Sequence, residues 1–218
     1  MAYIELEDTT SSEKMRFDNS MKRFETTGFY SKMNVYFNAN CYRSFWNMRN
    51  LQTIPTIFKF DKVTNMAEMF SEDQVLTTNI SSFNINNAVN MYRAFYNCYN
   101  LIGSPVCGAN VTNMREAYAN CKNLTGAAAC GTKVSDFGYA YWNCTNLTSA
   151  YIGPGVTIYT MANEAFHFCN KIQSITINTS NTYMLGQTTT YRPFNNTNLS
   201  NVTSITFGPA CTLAWRTF

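Results

Sequence analysis

Charge is what this sequence has least of. Only 13% of its 218 residues are Asp, Glu, Lys or Arg, and 16 bases against 13 acids leave a net charge of +3. That is about half the usual charged share, and the field is too weak to draw the chain onto nucleic acid or an acidic membrane. Histidine occurs once, as His167. A serine or cysteine nucleophile would have to use that single ring as its base. The carboxylates Glu68, Glu116, Asp136 and Glu164 stand singly rather than as an acid–base pair. Eight cysteines are present, but none forms a Cys-x-x-Cys pair and no histidine cluster accompanies them, which argues against zinc. No catalytic residue, metal or cofactor is therefore expected. No apolar run approaches the ~18 residues of a membrane span. The opening Met1-Ala-Tyr-Ile-Glu-Leu-Glu-Asp8 carries acids where a secretory leader carries bases. Synthesis in a cytoplasm, without membrane insertion, is the expectation.

What is present is a repeat. Met91-Tyr-Arg-Ala-Phe95-Tyr-Asn-Cys98-Tyr-Asn-Leu101 is written again from Met114 to Leu124 and from Phe137 to Leu147, at a period of 23 residues. A unit of that length cannot bury its apolar face alone and must stack on copies of itself, which is the signature of a solenoid. The aromatic anchor of the unit recurs at Phe45, Phe70, Phe95, Tyr118, Tyr141 and Phe166, with a looser copy at Phe194. Leu51, Leu76, Leu101, Leu124, Leu147 and Ile172 follow six residues later; the Phe70 unit has Ser71-Glu-Asp73 where Asn-Cys is usual. Met91, Ala94, Phe95 and Cys98 are spaced i, i+3, i+4, i+7, which predicts a short helix with one inward face. Asn50, Asn100, Asn123 and Asn146 would end it as left-handed caps. Extended stretches near 57–60, 83–85, 105–107, 127–130, 150–152, 174–177 and 204–207 are expected to share one parallel sheet. The expected fold is thus α/β: a solenoid of about seven coils of short parallel strand plus short helix over residues 41–218, preceded by a non-repeat cap or docking segment over 1–40.

The pattern Met-x-x-Ala-Phe-x-x-Cys-x-x-Leu, with the connector Val63-Thr-Asn-Met66 echoed by Val111-Thr-Asn-Met114, resembles the BspA-like leucine-rich repeats, in the variant found in Mycoplasma-type lipoproteins. The resemblance covers residues 41 to about 207. This chain departs from it in being poor in Leu and in showing no signal peptide or lipid-anchoring Cys. The resemblance implies a right-handed solenoid used for adhesion and for protein or glycan binding, without catalysis. Similar repeats occur in bacteriophage particle proteins, which need no export signal. The resulting expectation is a virion component, in one or many copies, touching other structural proteins of an assembly or a host-surface protein or glycan. The alternative is an adhesin or glycan-binding module of a bacterial cell surface.

Candidate sites follow from register. Cys98, Cys121, Cys144 and Cys169 fall at one position of the unit, and Cys107 and Cys130 at another, so they read as buried free thiols in ladders. His167 follows an inward anchor and should face solvent. The outer stripe one residue after each anchor, together with neighbours on the same turns, brings Trp46, Tyr92, Tyr96, Tyr99, Tyr139 and Trp142 into one candidate interaction surface; aromatics with a polar tip are favoured at interfaces and sugar platforms. Lys14, Arg16, Phe17, Lys22, Arg23 and Phe24 alternate bases with aromatics outside the repeat. They are the candidate docking segment, as an arm or a short amphipathic helix.

Overall fold

The structure, a computed structural model, describes residues 34–156, 164–179, 193–208 and 211, and the backbone of three strands before them. Those three, β1 (Glu5–Glu7), β2 (Lys14–Asp18) and β3 (Arg23–Thr26), form an antiparallel sheet in the order β1-β2-β3. Lys14, Arg16 and Phe17 therefore stand on one strand and Arg23 and Phe24 on the next, where a helix was the alternative expectation. The register sets Lys14 opposite Glu7, Arg16 opposite Glu5 and Glu25, Arg23 opposite Asp18, and Phe17 opposite Phe24. Each base on these strands is thus registered against an acid. Lys22 lies outside the described residues.

From residue 34 onward every described pairing is parallel. The strands β4 (Val35–Tyr36) and β5 (Phe58–Lys59) pair with each other, and β6 (Ser149–Ile152), β7 (Ser174–Ile177) and β8 (Ser204–Phe207) form a second parallel sheet in that order. Single parallel bridges join Asn40, Asn65, Asn90, Asn113 and Asp136 in succession. Each unit therefore lies on the next as a rung.

The anchor segments are not helices; no helix occurs among the described residues. Each is a run of turns in which two residues, two before and two after the anchor, take positive φ: Arg43 and Asn47, Glu68 and Glu72, Arg93 and Asn97, Glu116 and Asn120, Tyr139 and Asn143, Glu164 and Phe168. Left-handed residues break a helix, because they swing the peptide plane out of the i−4 direction. Here they turn alternate amides along the stacking direction instead. The amides of Met66, Glu68, Phe70 and Glu72 donate to the carbonyls of Asn90, Tyr92, Ala94 and Tyr96 on the next rung, and those of Met91, Arg93, Phe95 and Asn97 to Asn113, Arg115, Ala117 and Ala119. Within a rung, three-residue turns such as Ala94 to Met91 and Cys98 to Phe95 hold the curve. Asn tolerates the left-handed region, which explains Asn47, Asn97, Asn120 and Asn143. Asn50, Asn100, Asn123 and Asn146, the expected caps, have no positive φ. The residue five before each anchor opens the run as an Asx turn: Asn65, Asn90, Asn113 and Asp136 accept from the amides of Ala67, Tyr92, Arg115 and Gly138.

The other wall is less regular than expected. Segments 83–85 and 105–107 form no strand, and 127–130 contributes only a bridge from Ala127 to Ser149. Pro105 has no amide to give, and Ala127-Ala-Ala129 is poor β material. Two anchors supply what the absent ladder does not: the hydroxyls of Tyr118 and Tyr141 cross the core to donate to the carbonyls of Val106 and Ala129, each at 2.6 Å. Between the walls the anchors stack, from Phe45 through Phe70, Phe95, Tyr118, Tyr141 and Phe166 to Phe194, with centroids 5.1–5.6 Å apart and planes within 11° of parallel. Leu51, Leu76, Leu101, Leu124 and Leu147 are fully buried beside them.

The position three after the anchor supplies a donor to the preceding rung. The thiols of Cys98, Cys121, Cys144 and Cys169 donate to the carbonyls of Phe70, Phe95, Tyr118 and Tyr141 at 3.0–3.1 Å, and the Thr197 hydroxyl does the same to Phe166. Burial holds the thiols of Cys98, Cys121 and Cys144 well above their ordinary range and pushes Cys169 up to about 12. All are free and protonated at neutral pH. Asp73 holds this position in the Phe70 rung. It is fully buried and accepts from the Met48 amide through Oδ1 at 2.6 Å, and burial pushes its carboxyl up to about 9. Its Oδ2 is buried without a hydrogen-bond partner among the described residues, so Asp73 fills the position of the thiol without repeating its donation.

Two predictions follow from the rung contacts. Because the folded chain holds the Asp73 proton more tightly than the unfolded chain (~3.9), its stabilisation is full at acid pH and is lost as pH rises through about 9. Asp73→Asn keeps the Oδ1 acceptor without the titration, so its melting temperature relative to the parent should rise from pH 5 to pH 9. Parallel melting curves at all pH values would refute this assignment. Second, Cys121→Ser should cost less than Cys121→Ala in urea denaturation, because the hydroxyl can keep the donation to Phe95 that a methyl loses, a difference on the order of 1 kcal/mol.

Candidate functional site

The rung geometry fixes which side chains leave the stack. Residues one after the anchor point outward as a stripe: Trp46, Ser71, Tyr96, Ala119, Trp142 and His167. Trp46 is 44% exposed, Tyr96 and Trp142 are half-buried, and Ser71, Ala119 and His167 are buried. Burial of His167 corrects the expectation that it faces solvent. Its ring stacks on Trp142 at 5.9 Å and 18°, meets Phe168 edge-on at 4.0 Å, and has Nδ1 3.4 Å from the Glu164 carboxylate.

The residues two and three before the anchor lie beside this stripe and carry its charge. Their signs alternate rung by rung: Arg43 binds Glu68 at 2.7 Å and Arg93 binds Glu116 at 2.8 Å, while Arg115 reaches toward Asp136 at 3.9 Å. The same guanidinium groups lie over aromatic rings. Arg43 Cζ is 5.1 Å from Tyr42 and 5.2 Å from Trp46, Arg93 Cζ is 5.1 Å from Tyr92 and 5.0 Å from Tyr96, and Arg115 Cζ is 5.6 Å from Tyr139. Lys122 covers Tyr99 in the same way, at 5.4 Å. Burial opposes the Arg93 charge, but its hydrogen bond and attraction to Glu116 outweigh that, and its pKa is raised. Arg43 and Arg93 are thus each held between a carboxylate of the next rung and rings of their own, whereas the Asp136 and Tyr139 that Arg115 approaches both belong to the next rung. The flank is rigid, and its charges are paired.

The stripe lacks a ring at Ser71 and at Ala119. Ala119 stands where the rungs on either side carry Tyr96 and Trp142, and the missing ring leaves a surface pocket of about 230 Å³ lined by Tyr96, Glu116, Ala119, Tyr139 and Trp142. Three of the six expected surface residues meet here. Trp46, Tyr92 and Tyr99 belong to the same flank outside the pocket. Glu116, Ala119 and Arg93 were not anticipated; the alternation Arg43, Glu68, Arg93, Glu116 along the chain was the signal for the pairs. Glu116 holds Arg93 through Oε2 alone, and its Oε1 lies 3.7 Å from Arg115 Nε, beyond hydrogen-bond reach. No group of three or more His, Cys, Asp or Glu with metal-binding geometry occurs among the described residues, and none of their helices is long and apolar enough to cross a membrane.

The Arg93–Glu116 pair is partly exposed, so its loss should be cheap. Glu116→Gln is expected to lower stability by no more than about 1 kcal/mol, measured by urea denaturation.

Comparison with known proteins places these features. A family profile described as "Mycoplasma protein of unknown function, DUF285" matches residues 17–129. Among solved structures, a leucine-rich repeat protein from Bacteroides ovatus superposes with a TM-score of 0.55 at 14% identity, over 95% of this chain and 52% of that one. The chain thus spans about half the length of that neighbour. The neighbour supports a leucine-rich-repeat type of fold with parallel strands. No curated protein matches the sequence.

Proposed function

The chain belongs to the DUF285 family of Mycoplasma proteins, and we propose that it is a non-enzymatic recognition and assembly module whose aromatic flank meets the partner. Its form, on this reading, is a right-handed leucine-rich-repeat solenoid of about seven coils. The observation that carries the proposal is the division of groups between rungs and flank. The carboxylates Glu68, Glu116 and Glu164 and the ring of His167 are engaged with neighbouring side chains, and the ladder thiols with carbonyls. The flank, in contrast, offers Tyr42, Trp46, Tyr92, Tyr96, Tyr139 and Trp142 on a rigid surface, with Tyr42 and Trp46 49% and 44% exposed. Aromatic and arginine side chains held in place are the anchors of binding hot spots. The partner is a surface protein or glycan, or a structural protein of the same assembly.

Two addresses fit such a module: a phage particle and a bacterial cell surface. The family description and the neighbour's description both name bacteria and neither names a location. The antiparallel sheet that holds Lys14, Arg16, Phe17, Arg23 and Phe24 remains the proposed docking segment for attachment in either case. The test is the triple variant Trp46→Ala/Tyr96→Ala/Trp142→Ala, bound to host cells or particles and scored by sedimentation. It should stay folded by circular dichroism and lose at least about tenfold in binding. Undiminished binding by the folded triple variant would exclude the flank.

A further inference from the structure

We infer that the pocket at Ala119 is a subsite for one uncharged pyranose ring. The inference rests on the reading of the flank as a recognition surface and gives that surface a ligand class. Size is the first ground. About 230 Å³ is less than the roughly 300–1,000 Å³ that encloses a drug-sized ligand, so the pocket admits one ring rather than a folded segment. Spacing is the second. The anchors of these rungs stack at 5.3 and 5.4 Å, and Tyr96 and Trp142 stand two such steps apart. Two carbon contacts at ~3.5–4.0 Å account for most of that distance, which leaves room for one ring between the two rungs. Trp142 is covered by His167 on the side of the following rung, which leaves its other face turned to the gap.

Charge and hydrogen bonding decide the chemistry. Arg93 and Arg115 flank Glu116, and Asp136 faces Arg115, so the site has no net charge with which to select a cation or an anion. Glu116 lines the pocket, and its Oε1 accepts no hydrogen bond from the described residues, with Arg115 Nε 3.7 Å away. An aliphatic or aromatic side chain of a partner protein would cover that oxygen without satisfying it, at a desolvation cost. A sugar presents C–H groups to the indole face and hydroxyl donors to Oε1 at the same time. Trp142 is assigned the platform, Glu116 the hydroxyl acceptor, and Tyr96 and Tyr139 the walls.

The test titrates the full chain, by saturation-transfer NMR, with the methyl glycosides of glucose, galactose, mannose and N-acetylglucosamine. Sialic acid serves as the charged probe and N-acetyltyrosinamide as the aromatic one. At least one neutral glycoside should bind saturably with a Kd on the order of 1 mM, as a single ring permits. Binding should fall at least about tenfold in Glu116→Ala and Trp142→Ala and in Ala119→Trp, which fills the gap with the side chain that Trp46 and Trp142 carry at the same position, and should be unchanged in Ile205→Ala, an exposed site on β8. Should Ala119→Trp fail to fold, Trp142→Ala decides. Absence of binding by all four glycosides, preference for either control probe, or binding that survives Ala119→Trp or Trp142→Ala overturns the inference. If glycosides fail while the triple flank variant still loses its cells or particles, only the sugar assignment falls. If glycosides bind while the triple variant keeps them, the pocket assignment stands and the flank is not the attachment surface.

Discussion

Everything in this molecule hangs on alternate amides being aimed along the stack. A peptide chain curving through three-residue turns has amides to spare, and a helix would consume them internally. Left-handed residues two before and two after each anchor prevent that and turn four amides per complete rung toward the next one. A strand-like spacing is thereby imposed on a segment that is not a strand. Once the backbone repeats at that spacing, side chains at equal positions must repeat too, which is why the anchor rings stack with their planes nearly parallel. Nearly parallel planes with centroids 5.1–5.6 Å apart lie within the range of offset-stacked aromatic pairs, so the spacing that the ladder sets is also one that the rings favour.

The period, the anchors, the Leu column and the strands 174–177 and 204–207 were all legible in the sequence, because burial at fixed spacing leaves a periodic trace. The helix was a misreading of a real signal. Spacing i, i+3, i+4, i+7 in Met91, Ala94, Phe95 and Cys98 reports which residues point inward, and a chain of tight turns satisfies it as a helix does. The discriminating mark was Asn47, Asn97, Asn120 and Asn143, placed inside the segment, where a helix interior disfavours Asn. The missing strands at 83–85 and 105–107 had no such mark beyond Pro105, since a wall closed by tyrosine hydroxyls reads locally like any loop.

The Phe70 unit, with Ser71-Glu-Asp73, reads as degenerate only if residue identity is the criterion. By hydrogen-bond role its Glu72 fits the series. Glu72 Oε1 accepts from Asn97 Nδ2, Asn97 Oδ1 from Asn120 Nδ2, and Asn120 Oδ1 from Asn143 Nδ2, so Glu72 ends an amide ladder that needs an acceptor there and no donor. Asp73 stands at the thiol's position, accepts from the Met48 amide and is held protonated by burial. A ladder with direction can end in a residue that only accepts, and Glu72 is placed by the rule that places Asn elsewhere.

Interior positions are so constrained that difference between rungs can accumulate only on the outside, at the residue after the anchor and the pair before it. There the rungs do differ: Trp46, Ser71, Tyr96, Ala119, Trp142 and His167 share one backbone position and nothing else. The outer stripe was visible in the sequence as a set of aromatics, but the pocket was not, because its cause is the absence of a ring at Ala119, and an absence acquires meaning only once the flanking rungs are known to be in register. Opposite charges at Arg93 and Glu116 acquire theirs in the same way, since residues 23 apart in sequence become neighbours one rung apart. A repeat whose interior is fixed by backbone pairing can vary its surface one rung at a time at little cost to the fold, and a small residue between two ringed neighbours, as at Ala119, is a cheap way for such a surface to acquire a concave site.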